Sequence, residues 1–118
     1  MAHVALAVRD QERSRRFYET YFEFDPETAR VADDGTLLLK GPADVLLALG
    51  ETDEPIELPT FLHFGFRAAS SPPEVRAFRD RLAADGVELV GFWDEPDYVS
   101  VKCRDPDGYV VEFAWEPA

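Results

Sequence analysis

Two stretches of the chain alternate apolar and polar residues, recur at helical spacing, then alternate again. Residues 3–8 predict a buried strand. Asp10 is a helix N-cap candidate, and Phe17, Tyr18, Tyr21 and Phe22 form an apolar stripe that predicts a helix over 11–22. Pro26 ends that region. Strands are expected over 27–32, 36–40 and 45–49, separated by the turn signals Asp33-Asp34-Gly35 and Gly41-Pro42-Ala43-Asp44. Residues 51–59 are acidic, hold Pro55 and Pro59 and lack periodicity, which predicts a linker. A second round follows. A strand is expected over 61–67. Ser71, Pro72 and Glu74 stand at the N-cap, N1 and N3 positions of a helix. Its buried stripe is Val75, Phe78 and Leu82, and Gly86 is its stop. Strands over 88–93, 98–104 and 109–115 complete the round, with Asp105-Pro106-Asp107-Gly108 as the turn before the last.

The order strand, helix, three strands therefore occurs twice, and an internal repeat is the first thing to test. Setting His3 on His63 pairs the two opening strands. Setting Pro42 on Pro106 pairs the turns and puts Ala48 on Glu112. Side-chain alternation then gives each strand two unlike faces. Val4, Leu6, Val8, Val45, Leu47 and Leu49 are bulky, as are Phe64, Phe66, Val111, Phe113 and Trp115. The opposite faces carry His3, Ala5, Ala7, Leu46, Ala48, Gly50, His63, Gly65, Val110, Glu112 and Ala114, and are smaller on the whole. The bulky faces are expected to pack on the helices. The small ones leave room for a pocket or admit a second chain's side chains.

Composition bounds the function. A chain of 118 residues is one domain, or two small modules sharing a core. Its 46% apolar and 13% aromatic content is that of a folded protein rather than a disordered one. The formal charge of −12 argues against nucleic acid, which needs a basic surface, and against anionic membranes. It leaves a cationic ligand open, although acidic turns and linker favour the simpler reading of solubility. A single cysteine, Cys103, excludes an intrachain disulfide and a Cys-rich metal site. No signal peptide or membrane-length apolar run is visible, so a reducing, cytoplasmic setting is expected.

Three residues stand out chemically. The only two histidines, His3 and His63, open the two modules in register. Glu112 interrupts an otherwise buried strand, where a carboxylate needs a partner or a metal. An exposed face or a nearby arginine would also account for it. Two imidazoles and one carboxylate form a set that suits Fe(II), Mn, Ni or Zn and leaves positions open for substrate.

These features resemble the vicinal oxygen chelate superfamily, which includes glyoxalase I, the bleomycin-resistance proteins, extradiol dioxygenases and the fosfomycin-resistance thiol transferases. The carriers are the paired modules, the histidine opening each, and Asp105-Pro106-Asp107-Gly108 followed by Glu112; the resemblance spans the chain. It implies an α+β fold of two βαβββ modules forming a curved mixed-sheet cup. Residues 1–118 would form one domain, with modules of about 1–50 and 60–118 around a linker at about 51–59. It also implies a homodimer and a divalent ion (Fe, Mn, Ni or Zn) held by His3, His63 and Glu112.

The departures separate members. Ala48 stands where glyoxalase I-like enzymes carry a fourth, carboxylate ligand. Lys102 stands where extradiol dioxygenases and fosfomycin enzymes carry a tyrosine, and shares its predicted face with Ser100 and Tyr98. Lys102 is accordingly the expected catalytic residue, orienting a substrate or moving a proton. Ser100, Tyr98, Arg67 and Trp93 are expected substrate contacts. The functional expectation is a metal-dependent enzyme acting on a small oxygen-bearing substrate, with dioxygenase-, lyase- or transferase-like chemistry. The alternative is a non-catalytic, bleomycin-resistance-like protein that sequesters a small-molecule drug.

Overall fold

Residues 2–118 are described by a computed structural model, and the chain divides into two units, 1–57 and 58–118. In the first unit, β1 (Ala2–Val8) is followed by α1 (Gln11–Tyr21), β2 (Arg30–Val31), β3 (Leu37–Lys40) and β4 (Val45–Glu51). The strands lie in the order β1-β4-β3-β2, with β1 and β4 parallel and the other pairs antiparallel. In the second unit, β5 (His63–Phe64), α2 (Pro72–Ala84), β6 (Leu89–Glu95), β7 (Tyr98–Arg104) and β8 (Val110–Trp115) repeat that plan, in the order β5-β8-β7-β6. Each unit is a four-stranded mixed sheet with one helix, and together they are the expected α+β pair of modules.

The register proves the repeat. His3 pairs with Leu46, two residues before Ala48, and His63 pairs with Val110, two residues before Glu112. Leu38 lies opposite Ala48, and Lys102 opposite Glu112. His3 and His63 are therefore counterparts, as are Ala48 and Glu112, and Leu38 and Lys102.

Each core lies between helix and sheet. In the first unit Leu6, Val8, Leu37, Leu39, Leu47 and Leu49 are buried with Phe17 and Tyr18 of α1. Asp10 caps α1 as predicted, its side chain accepting from the Glu12 and Arg13 backbone N–H groups. In the second unit Val99, Val101, Cys103, Val111 and Phe113 are buried with Val75 and Leu82 of α2. Phe78 meets Phe113 edge-on at 5.1 Å. Each such side chain contributes about 1.5–3 kcal/mol by leaving water, so both helix-facing sides are strongly specified.

The differences from expectation lie at sheet edges and helix ends. The predicted strand over 27–32 shrinks to Arg30–Val31, because Pro26 opens a 3-10 turn capped by Asp25. The predicted strand over 61–67 shrinks to His63–Phe64. Phe61, at φ +90°, has left the extended region. At Gly65 the backbone lies so close to Glu112 that an added Cβ would sit 2.6 Å from its carbonyl oxygen. Part of the expected linker belongs to β4, which runs to Glu51. Ser71 makes no side-chain cap bond to α2; instead the Glu74 carboxylate accepts from the Ser70 N–H at 2.7 Å. Gly86, at φ +76°, follows the helix end as predicted.

Candidate functional site

β7 and β8 place the chemistry of the second unit. Because side chains alternate, Val99, Val101, Cys103, Val111 and Phe113 face α2, while Tyr98, Ser100, Lys102, Glu112 and Ala114 face the other way. Ser100 lies opposite Ala114 and Lys102 opposite Glu112, so their side chains crowd one patch of sheet. His63 joins them from β5.

The Glu112 carboxylate is the centre of that patch. Its Oε2 accepts hydrogen bonds from the Tyr98 hydroxyl and from the fully buried Ser100 hydroxyl. Its Oε1 faces His63 Nε2 at 3.8 Å. Burial pulls the Glu112 pKa up, but the hydroxyls of Ser100 and Tyr98, with the positive charge of Lys102 nearby, hold it below the usual carboxylate range. The Tyr98 phenol moves the opposite way, raised by burial and by its bond to Glu112. At neutral pH the site therefore holds a carboxylate with one oxygen fully engaged and the other turned to the imidazole.

The histidine is also oriented. Its Nδ1 lies 2.8 Å from the Phe61 carbonyl oxygen. A carbonyl only accepts, so Nδ1 donates, and the neutral ring carries its lone pair on Nε2, the atom facing Glu112. A fixed Nδ1–H and a hydrogen-bonded carboxylate are the supports that metal-binding imidazoles and carboxylates need. Two donors bound about 2.1 Å from one ion at a right angle stand about 3 Å apart, so His63 and Glu112 need close by less than about 1 Å to share an ion. The residues fit a divalent metal. The second unit supplies two such donors; among the described residues no group of three His, Cys, Asp or Glu side chains gathers. His3 lies on β1 of the first unit, exposed, on the face away from α1.

The remaining predicted residues fall as follows. Lys102 lies beside Glu112, its Nζ 4.6 Å from the centroid of the half-exposed Trp93 ring. Arg67 does not follow the alternation of β5, because the strand ends at Phe64. Its guanidinium lies 4.6 Å above the Phe113 ring and 3.4 Å from the Glu74 carboxylate, and the residue borders a cavity with Gly65, Glu112 and Ala114. Cys103 is buried, and burial with nearby Asp105 pushes its thiol up to about 12, leaving it unreactive at neutral pH. Sequence reasoning missed Gly91. A Cβ there would sit 2.6 Å from the Trp93 indole, so the glycine makes the space that ring occupies.

The Asp105-Pro106-Asp107-Gly108 turn presents β8. Buried Asp105 accepts from the Asp107 and Tyr109 N–H groups at 2.9 Å, and Gly108 takes φ +94°. That pinned turn sets the start of the strand, and hence which face Glu112 occupies.

Comparison with known proteins fits this geometry. The family model of the Glyoxalase/Bleomycin resistance protein/Dioxygenase superfamily matches residues 1–113. The chain belongs to that superfamily. Among solved structures it is similar to a genomically encoded fosfomycin resistance protein from Listeria monocytogenes (20% identity, TM-score 0.81), covering 99% of this chain and 93% of that one. The Listeria protein also has a structure in complex with Mn(II) and sulfate ion. A glyoxylase/bleomycin resistance protein/dioxygenase domain from Frankia sp. EAN1pec is 22% identical with TM-score 0.78, covering 99% and 97%. A possible glyoxalase from Bacillus cereus is 22% identical with TM-score 0.73, covering 96% of each chain. These TM-scores establish the shared fold. No curated protein sequence matches the chain. No helix among the described residues is long and apolar enough to cross a membrane.

Proposed function

We propose that this superfamily member is a divalent-metal-dependent enzyme acting on a small, oxygen-bearing molecule. The observation that carries the reading is the supported pair in the second unit. Glu112 Oε2 is held by Tyr98 and Ser100, and Oε1 faces an imidazole whose other nitrogen is fixed by the Phe61 carbonyl. His63 and Glu112 would be two ligands of the ion, and His3, the counterpart of His63 in the first unit, is the third ligand that the family resemblance implies. The Mn(II) complex of the similar Listeria protein supports a metal of this class. When bound, such an ion supplies Lewis acidity to a substrate oxygen.

The chain's own groups do the rest. Ser100 and Tyr98 keep Glu112 ionised and stop the carboxylate turning. Tyr98 holds its proton on the phenol oxygen, because its pKa is raised. Lys102 places a positive charge next to the same carboxylate, where it orients an incoming substrate or moves a proton. The sixfold or fivefold shell that such metals favour is incomplete with three protein ligands, which leaves room for a substrate.

Metal analysis of untagged protein tests the reading. After stripping with chelator and reconstitution with Mn(II), one ion per chain is expected. His63→Ala and Glu112→Ala are each expected to weaken binding at least about tenfold, since each removes a ligand. Less than a tenth of an equivalent bound by the unaltered chain would overturn it.

A further inference from the structure

Next to His63 the second unit contains a cavity of about 360 Å³, the lower end of the range for small-molecule sites. Its wall combines two features. Phe61, Leu62, Val90 and Trp93 are large apolar side chains left exposed around it, Phe61 at 87%. Lys102 and Arg104 are its ionic groups besides His63, and no Asp or Glu lines it. That is notable in a chain with 24 acidic residues against 12 basic ones. The two cations are not equivalent. Arg104 is occupied, donating to the Glu88 carboxylate and to the Gly108 carbonyl oxygen. Within its unit Lys102 makes no hydrogen bond or ion pair. Its ammonium rests over the Trp93 ring at 4.6 Å, with Glu112 across the strand pair.

An ammonium on an aromatic face keeps its donors for another acceptor. An apolar wall beside it rewards a flat, apolar body. We infer that this cavity takes a small organic anion with an aromatic body, its acid group on Lys102 and its ring against Trp93 and Leu62. The net charge of −12 does not oppose this at ordinary salt, because charges farther than about 8 Å are screened at 0.15 M ionic strength. The inference rests on the proposed function only for the anion's part as substrate, since Lys102 and Trp93 need no metal to hold it.

Calorimetric titration of the full-length protein with phenylacetate, phenylacetamide and phenethylammonium, at 0.15 M salt, tests it. Each is run with and without Mn(II), and bound Mn(II) is measured separately. Phenylacetate is expected to bind at least about tenfold more tightly than the other two, the scale of a charge-assisted hydrogen bond. Lys102→Met is expected to erase that preference and Lys102→Arg to keep it. Preference for phenylacetate in protein that binds no Mn(II) would sustain this inference and sink the metal reading. Bound Mn(II) with no preference among the three ligands would do the reverse. Preference for the cation, or identical behaviour of the two Lys102 variants, would overturn the inference.

Discussion

The two units share a plan down to the register, yet the second gathers a carboxylate, two hydroxyls and a lysine beside its histidine, and the first does not repeat that set at its own. On the sheet face away from the helix, the first unit presents His3, Ala5, Leu38, Leu46 and Ala48. At matching places the second presents His63, Gly65, Lys102, Val110 and Glu112. The helix-facing sides hardly differ: both are rows of Leu, Val and Phe. The contrast teaches that the fold is written on one side of each sheet and the function on the other. Alternation keeps the two apart, so the chemical face of the second unit differs from that of the first without disturbing the core.

The strongest test of that division strikes the shared side. Leu49 and Phe113 occupy equivalent places, both buried, facing α1 and α2. Leu49→Ala is expected to cost about 2–5 kcal/mol and Phe113→Ala about 3–5 kcal/mol, the range for buried large-to-small changes. Denaturant unfolding measures both. Loss in one unit alone would show that the helix-facing sides are not equivalent. A second test makes the chemical sides alike. Ala48→Glu would put a half-buried carboxylate opposite Leu38, where Thr36, in the place of Ser100, already gives its hydroxyl to Asp34, and Asp34 itself stands in the place of Tyr98. We expect a stability loss of about 1–3 kcal/mol, the cost of burying a polar group without its partners. No loss would mean that the donors are not what make Glu112 tolerable.

This division also explains how much was legible in the sequence. The repeat and the two-faced strands were readable because alternation has a fixed period of two, and one bulky face exposes it along Val4, Leu6 and Val8 or Val111 and Phe113. His63, Glu112 and Lys102 were readable because a charged or titratable group interrupts such a run. The edge strands were not. β2 and β5 are two residues each, and their limits depend on the Pro26 turn, on Phe61 at φ +90° and on the contact between Gly65 and Glu112. Arg67 lies beyond the end of the short β5, so alternation along that strand does not place it, although it borders a cavity together with Glu112. Ser100 and Tyr98 were assigned to the correct face, but as substrate contacts. That their hydroxyls serve Glu112 follows from β7 lying beside β8, a pairing that turns a half-buried glutamate and two neighbouring hydroxyls into one unit.

The supports can be tested separately from the ligands. Ser100→Ala removes one donor from Glu112 Oε2 and leaves every metal-binding atom in place. Losing such a support is expected to cost about 10–100-fold in Mn(II) affinity. Thr36, the first unit's counterpart of Ser100 by register, bonds Asp34 rather than a residue of the candidate site, and Thr36→Ala is expected to leave the affinity unchanged. Equal loss in both variants would place the effect in general stability rather than in the site.

The smallest expected effect concerns Gly91, whose only visible duty is to make room. A methyl there would stand 2.6 Å from the far end of the Trp93 indole, so the ring must swing away. The ring is 40% exposed, and a glycine inside a strand is itself unfavourable by about 0.5–1 kcal/mol. Gly91→Ala should therefore leave unfolding stability within about 1 kcal/mol of the parent. The movement nevertheless takes the indole from beneath Lys102, a contact worth about 0.5–1 kcal/mol at such a site. In a Trp115→Phe background, where Trp93 is the remaining tryptophan, its emission should shift to the red and phenylacetate should bind about two- to fivefold more weakly. Unchanged emission would mean that Gly91 does not hold the place of the ring. It would also remove one reason why the second unit holds a cation ready for a ligand beside an aromatic wall.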